Sequence, residues 1–147
     1  MSYWDTSCLV KLYTPEPDSL LFRNKLRQPI RCVTTEVALL EFWATVRRKE
    51  AAGVLEIGEA AKVQSAFEGD VSAGLIEVVQ SSGALHLQFN RTVDRCYARA
   101  CPIWLRTNDA LHLAAARLEN VAEIVATDRR LRDAAQFLGF QAFPPPP

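Results

Sequence analysis

Residues 2–13, Ser2-Tyr3-Trp4-Asp5-Thr6-Ser7-Cys8-Leu9-Val10-Lys11-Leu12-Tyr13, decide the fold. A short stretch suited to a strand runs directly into Asp5-Thr6-Ser7, residues that favour a turn and a helix start, and then into an apolar-rich helical segment. A strand delivered straight into a helix must cross over before the chain can pair again, which is how parallel sheets are built.

The same unit recurs outward from this start. Pro15 and Pro17 interrupt, Asp18 or Ser19 caps, and residues 20–27 read as a second helix before a second strand at 30–33. Thr34 or Thr35 then caps a helix over 36–51 that ends before Gly53. A helix from 59 to about 71 follows, with Ile57, Ala60, Phe67 and Val71 along one stripe and Gly74 closing it. Residues 75–79 are a third strand. Residues 85–100 form a helix whose Phe89, Val93, Cys96, Tyr97 and Ala100 make an apolar face, with Arg91, Arg95 and Arg99 opposite as a solvated row.

Pro102 breaks that helix, and Thr107 or Asn108 caps the next one, which runs through Leu118. Residues 123–126 are a fourth strand, Asp128 opens a helix through Leu138 ended by Gly139, and 140–143 form a last strand. The class is therefore α/β, a mainly parallel sheet covered by helices on both faces. One domain over residues 1–143 is expected, with the prolines at 144–147 a frayed tail.

Composition agrees and excludes other classes. A chain of 147 residues with 49% hydrophobic and 23% charged residues suits one compact core and rules out disordered and fibrous proteins. No apolar run is long enough to span a membrane and the start lacks a signal-peptide pattern, so a cytoplasmic protein is expected. Cys8, Cys32, Cys96 and Cys101 contain no CxxC pair, so neither a zinc ribbon nor a thioredoxin motif is written, and buried free thiols are expected. Net charge is zero, but 13 of the 17 basic residues are arginine, the side chain that grips phosphate or carboxylate bidentately; GC-rich coding gives the same bias.

In parallel α/β sheets, ligands bind outside the carboxyl ends of the strands. Asp5 and Asp128 stand there, where helix capping alone also explains them. Asp109 falls in the first turn of its helix, a common place for an acid. Glu41 lies on the stripe of Val37, Leu40 and Ala44, expected to face the sheet or a neighbouring element, where a carboxylate needs a metal or an arginine partner. If the four acids converge, each pair about 6 to 8 Å apart repels by about 2 to 3 kcal/mol at an effective dielectric near 20, so the cluster must take up protons or cations. Hard oxygen donors select Mg²⁺ or Mn²⁺.

Four segments, WDTSCLVKLY, TTEVALLEFWATVRR, RTNDALHLAAARL and IVATDRRLRDAA, occur in this order along nearly the whole chain. Together they resemble PIN domains, most closely the VapC type of toxin ribonuclease in toxin–antitoxin pairs. Carried over position by position, the acidic metal site of that family falls on Asp5, Glu41, Asp109 and Asp128. The resemblance implies a three-layer α/β/α fold, Mg²⁺- or Mn²⁺-dependent cleavage of RNA, a homodimer, and neutralisation by a small antitoxin whose tail wraps the active groove. The stretch 83–104 matches no motif, Asn108 takes a place often apolar in the family, and the proline tail is unusual.

Phosphodiester hydrolysis suits these residues, because a divalent metal activates water and stabilises the leaving oxygen without a protein nucleophile. Asp5, Asp109 and Asp128 are then ligands, directly or through water, while Glu41 either ligates or orients the attacking water. Thr6 and Ser7 are expected to support Asp5 through hydrogen bonds and Thr127 the Asp128 loop, with plain turn chemistry an equal reading. His112, one turn after Asp109, belongs to no histidine metal spacing and is read as packed or as a hydrogen-bonding support.

Setting the four acids aside leaves 17 basic residues against 13 acidic ones, enough to favour a polyanion. The candidate RNA contacts are Arg47, Arg48 and Lys49 at one helix end and Arg129, Arg130 and Arg132 just past Asp128. Rival enzymes are missing key residues. A haloacid-dehalogenase-like phosphatase needs an acid where Ser7 stands, a receiver domain needs an aspartate where Val79-Gln80-Ser81 follow the third strand, and no glycine-rich phosphate cradle is present. A silent PIN-like module that only binds RNA or protein is the alternative; the presence of all four acids counts against it.

Overall fold

The computed structural model describes residues 1–28 and 30–145. In chain order the elements are β1 (Ser2–Trp4), α1 (Thr6–Tyr13), α2 (Ser19–Leu26), β2 (Cys32–Thr35), α3 (Glu36–Ala51), α4 (Glu59–Ser72), β3 (Ile76–Val79), α5 (Gly83–Tyr97), α6 (Thr107–Leu118), β4 (Glu123–Val125), α7 (Arg129–Phe137) and β5 (Gln141–Phe143). The sheet has the order β3-β2-β1-β4-β5 and every pairing is parallel, with Tyr3 opposite both Val33 and Ile124.

Strand periodicity sorts the core into two layers. Tyr3, Val33, Val79 and Ile124 point to the side covered by α5, α6 and α7, where Leu113, Leu131 and Ala134 meet them. Trp4, Cys32, Ile76 and Val125 point to the other side, against Leu9, Phe22, Phe42 and Phe67 of α1 to α4. The phenyl rings of Phe42 and Phe67 stack with centroids 4.0 Å apart, and Tyr13 meets both edge-on. This is the expected three-layer α/β/α arrangement, with a sheet that is wholly parallel. Gly74 and Gly139 close α4 and α7 at φ +75° and +90°, the left-handed backbone that a helix stop requires and glycine adopts freely.

Several local expectations are corrected. The second strand lies two residues later than expected because Cys32 and Val33, not Ile30, supply the alternating core pair, and Thr35 serves as both strand end and cap, accepting from the Val37 amide at 2.9 Å. Neither Thr107 nor Asn108 caps α6, which starts one residue earlier with Arg106 at the cap position. Helix α5 stops at Tyr97, and Ala100 is exposed. Ile57 is 98% exposed, since it precedes α4 and lies off its Ala60–Phe67 face. Cys101 is exposed in the loop after α5, while the other three thiols are buried. In α3 the buried face is Ala38, Phe42 and Val46, and Leu40 is 73% exposed, so the stripe bearing Glu41 is not the core stripe.

Of the proline tail, Pro146 and Pro147 lie outside the described residues. The Pro144 carbonyl accepts from Arg132 at 2.6 Å. No helix among the described residues is long and apolar enough to cross a membrane.

Candidate active site

The strand order places a topological switch at β1. The chain builds β2 and β3 to one side of it and then crosses to β4 and β5 on the other. At the carboxyl ends of β1 and β4 the chain turns into α1 and α7, and the Asp5 amide donates to the Val125 carbonyl at 2.9 Å, joining the two turns. A pocket of about 570 Å³ opens there, lined by Asp5, Thr6, Ser7, Glu41, Ala44, Thr45, Arg48, Arg106, Asp109, His112, Thr127 and Asp128. All four acids singled out from the sequence border this one cavity.

Two of the acids cap helices as well. Asp5 accepts from the Ser7 amide at 3.3 Å and from the Ser7 hydroxyl, and Asp128 accepts from the Leu131 amide at 3.1 Å. Capping and the pocket therefore use the same carboxylates. Ser7 supports Asp5 as expected and reaches Thr127 at 3.4 Å. Thr6 does not support Asp5; its hydroxyl donates to Glu41 at 2.5 Å, because one residue into α1 its side chain faces α3.

Glu41 is the most heavily bonded of the four acids. One oxygen accepts from Asn108 at 2.6 Å, and the other from Thr6 and from His112 Nε2 at 3.0 Å. Partial burial works against its charge, but these three donors prevail and hold the carboxyl down to about 2. Since Glu41 only accepts, His112 Nε2 carries a proton; Nδ1 meets the Tyr3 hydroxyl at 2.7 Å. His112 is 2% exposed and 3.6 Å from Asp5, and although burial disfavours its charge, Glu41, Asp5 and Asp109 together raise its pKa. His112 thus acts as a buried support for the cluster.

Asp109 is drawn upward chiefly by burial, which outweighs its bond from the Arg106 amide and the nearby Arg106 charge. The Arg106 guanidinium lies between two acids, 3.3 Å from Asp109 and 2.8 Å from Asp128. Sequence reasoning passed over Arg106. Its one local signal is its position three residues before Asp109 at the head of α6. Asn108, read from the sequence as a cap candidate and as a departure from family pattern, instead donates to Glu41.

The expected RNA-contacting cations divide. Arg48 lines the pocket. Arg47 pairs with Glu50 and lies over the Trp43 ring, and Lys49 pairs with Glu16 at 3.0 Å. Arg132 is spent on the Ala126 and Pro144 carbonyls, whereas Arg129 is open apart from a 3.8 Å contact with Asp133, and Arg130 is exposed. The Arg91 row is not merely solvated: Arg95 and Arg99 lie over the Phe137 ring, with Arg99 4.4 Å from its centroid.

Among the described residues, no three His, Cys, Asp or Glu side chains are drawn together closely enough to hold a metal ion. The donor set nevertheless fits a hard cation. Asp5, Asp109 and Asp128 offer only carboxylate oxygens, and the Arg106 guanidinium already stands as a positive charge between two of them.

Comparison with known proteins identifies the fold. The PIN domain family matches residues 2–136. Among solved structures, VapC20 of Mycobacterium tuberculosis, a sarcin-ricin-loop-cleaving toxin, superposes with a TM-score of 0.68 at 18% identity, covering 91% of this chain and 95% of that one. FitAcB from Neisseria gonorrhoeae gives 0.63 at 12% identity, covering 97% and 96%. FitAB bound to an IR36 DNA fragment gives 0.68 at 14%, covering 97% and 94%. No curated protein sequence matches the chain.

Proposed function

The chain belongs to the PIN domain family, and from that footing we propose that it is a divalent-metal-dependent endoribonuclease, the toxin of a toxin–antitoxin pair. The observation that carries the reading is the convergence of Asp5, Glu41, Asp109 and Asp128 on one pocket at the switch point of the sheet, with a guanidinium between two of them. The likeness to VapC20 and to the Fit proteins supports it at the level of fold.

Asp5, Asp109 and Asp128 would hold Mg²⁺, or Mn²⁺ in its place. Such a cation, when bound, supplies Lewis-acid activation of water and stabilises the leaving oxygen. Glu41 takes no proton at neutral pH, because a carboxyl held near 2 is a weak base. Its part is to keep a fixed negative charge at the pocket edge, either toward the cation or as the acceptor that orients water. His112, Thr6 and Asn108 hold it in that state. Arg48 and Arg106 are the pocket's positive side chains for RNA phosphate, and Arg129 and Arg130 lie beyond it.

An antitoxin partner, a homodimer and a cytoplasmic setting belong to the same reading. Leu40 and Trp43 are exposed on α3, the helix that also brings Glu41, Thr45 and Arg48 to the pocket, and they form an apolar surface suited to a protein partner. The silent-module alternative keeps the fold without the cutting.

The test is cleavage of several structured RNAs by wild type and Asp5→Asn in Mg²⁺, Mn²⁺ and EDTA, with folding of both checked by circular dichroism. Metal-dependent cutting by wild type alone supports the nuclease. Folded wild type that cuts nothing, while Asp5→Asn binds Mn²⁺ as tightly as wild type does, supports the silent module.

A further inference from the structure

Trp104 is 72% exposed, and it terminates the stretch that matches no motif. It is not a loose loop residue. The segment after α5 is tied back by the Ile103 amide, which donates to the Cys96 carbonyl at 3.0 Å. The Tyr97 hydroxyl donates to the Leu105 carbonyl at 3.2 Å and accepts from the Leu105 amide at 3.1 Å. The Tyr97 ring meets the Trp104 ring edge-on at 5.7 Å, bracing it from one side.

Burial alternates along this segment. Ile103 and Leu105 pack against the core, while Trp104 and Arg106 are exposed. In an extended chain residues two apart share a side, roughly 7 Å from each other. Trp104 is therefore the outward neighbour of Arg106, whose guanidinium reaches into the acidic pocket. A flat aromatic face held at fixed height beside an arginine is the pairing that proteins use to seat an unstacked base and the adjoining phosphate of a single strand.

A protein partner is the less favoured occupant. Along residues 97–108 the other exposed side chains are Tyr97, which is 36% exposed, and Ala98, Arg99, Ala100, Cys101, Arg106, Thr107 and Asn108, so the large apolar surface of this segment is confined to the Tyr97–Trp104 pair. Leu40 and Trp43 on α3 offer an apolar surface elsewhere on the chain.

From this arrangement we infer that Trp104 is a base-stacking platform that seats an unpaired nucleotide of the RNA substrate at the mouth of the acidic pocket, with Arg106 beside it. The inference rests on the nuclease reading and adds to it a residue that seats the substrate outside the acidic cluster.

The experiment compares wild type, Trp104→Ala and Trp104→Phe for binding of a short unstructured oligoribonucleotide in EDTA, followed by anisotropy of the labelled RNA and by intrinsic tryptophan fluorescence. Cleavage of the same RNA in Mn²⁺ and the sedimentation of each variant are measured alongside. Trp104→Ala should weaken binding by about 5- to 100-fold and Trp104→Phe should restore most of it, since any aromatic face stacks. The RNA-induced quenching seen in wild type should vanish in Trp104→Phe although binding persists. Equal binding by wild type and Trp104→Ala overturns the inference and, if wild type still cuts, leaves the nuclease reading standing. A change in association state with RNA affinity per protomer unaltered makes Trp104 a protein contact and also overturns it. Wild type that neither binds nor cuts RNA overturns both.

Discussion

The Arg106 guanidinium lies 2.8 Å from an Asp128 carboxylate oxygen and so joins the head of α6 to the head of α7 across the mouth of the acidic pocket. It also reaches Asp109. In this position it offsets part of the repulsion among the acids, and a divalent cation bound by Asp109 and Asp128 has to compete with it. Arg106→Gln should therefore tighten Mn²⁺ binding severalfold in titration calorimetry. Unchanged or weaker affinity would show that the guanidinium and the metal do not share these oxygens.

The His112–Glu41 pair sets a pH dependence that is measurable on the metal-free protein. Burial lowers the imidazole pKa, but Glu41, Asp5 and Asp109 raise it above its ordinary value of 6.5. The stability carried by protonated His112 is thus fully present below pH 6.5 and is lost as pH rises through the folded-state value. Glu41 works in the opposite sense: its contribution is present above 4.5 and is lost as pH falls toward about 2. Glu41→Gln should shift the His112 titration to lower pH in NMR and flatten the dependence of Tm on pH through both windows. A His112 titration unmoved by the substitution would refute the pairing.

Asp128 has two duties, and the two can be separated. Asparagine caps a helix about as well as aspartate, whereas alanine does not, so Asp128→Asn should keep the bond to the Leu131 amide while losing a carboxylate. We expect Asp128→Asn to hold its Tm within a degree or two of wild type and to lose Mn²⁺ binding; Asp128→Ala should in addition lose about 1 kcal/mol of stability. Metal binding retained by the folded Asn variant would reduce Asp128 to a cap.

How much of this was legible in the sequence depended on the range of the interaction. The strand alternation Tyr3/Trp4 and Cys32/Val33, the caps Asp5, Thr35 and Asp128, and the helix stops at Gly74 and Gly139 are written within a few residues, and local physics reads them. Asp5 and Asp128 were found because strand ends in a parallel sheet are a predictable address, whereas Asp109 and Glu41 lie on helices and joined them through the resemblance to PIN domains. Arg106 was missed because its partner Asp128 lies 22 positions away, and the bond from Tyr3 to His112 spans 109. Asn108 looked like a misplaced polar residue until α3 brought Glu41 to it. Arg132 and Lys49 looked like free cations because the groups that occupy them belong to other segments.

Helix α3 shows the sharper limit of periodicity, and it supplies a last prediction. A helix whose one flank meets the core and whose other flank borders a pocket carries two overlapping apolar stripes, and hydrophobic spacing alone does not say which is buried. Val37, Leu40 and Ala44 share a stripe with Glu41, yet the residues that seat the helix are Ala38, Phe42 and Val46, with Phe42 stacked on Phe67. Phe67→Ala should cost about 3–5 kcal/mol in urea unfolding, the usual penalty for emptying a buried aromatic site. Leu40→Ala, at an exposed position, should stay within about 0.5 kcal/mol of wild type. A loosened Phe42–Phe67 contact should also disturb Glu41, one residue from Phe42, so the His112 titration should broaden or shift in Phe67→Ala and remain as it is in Leu40→Ala. Equal costs for the two substitutions would mean that α3 is seated on the stripe of Glu41 after all.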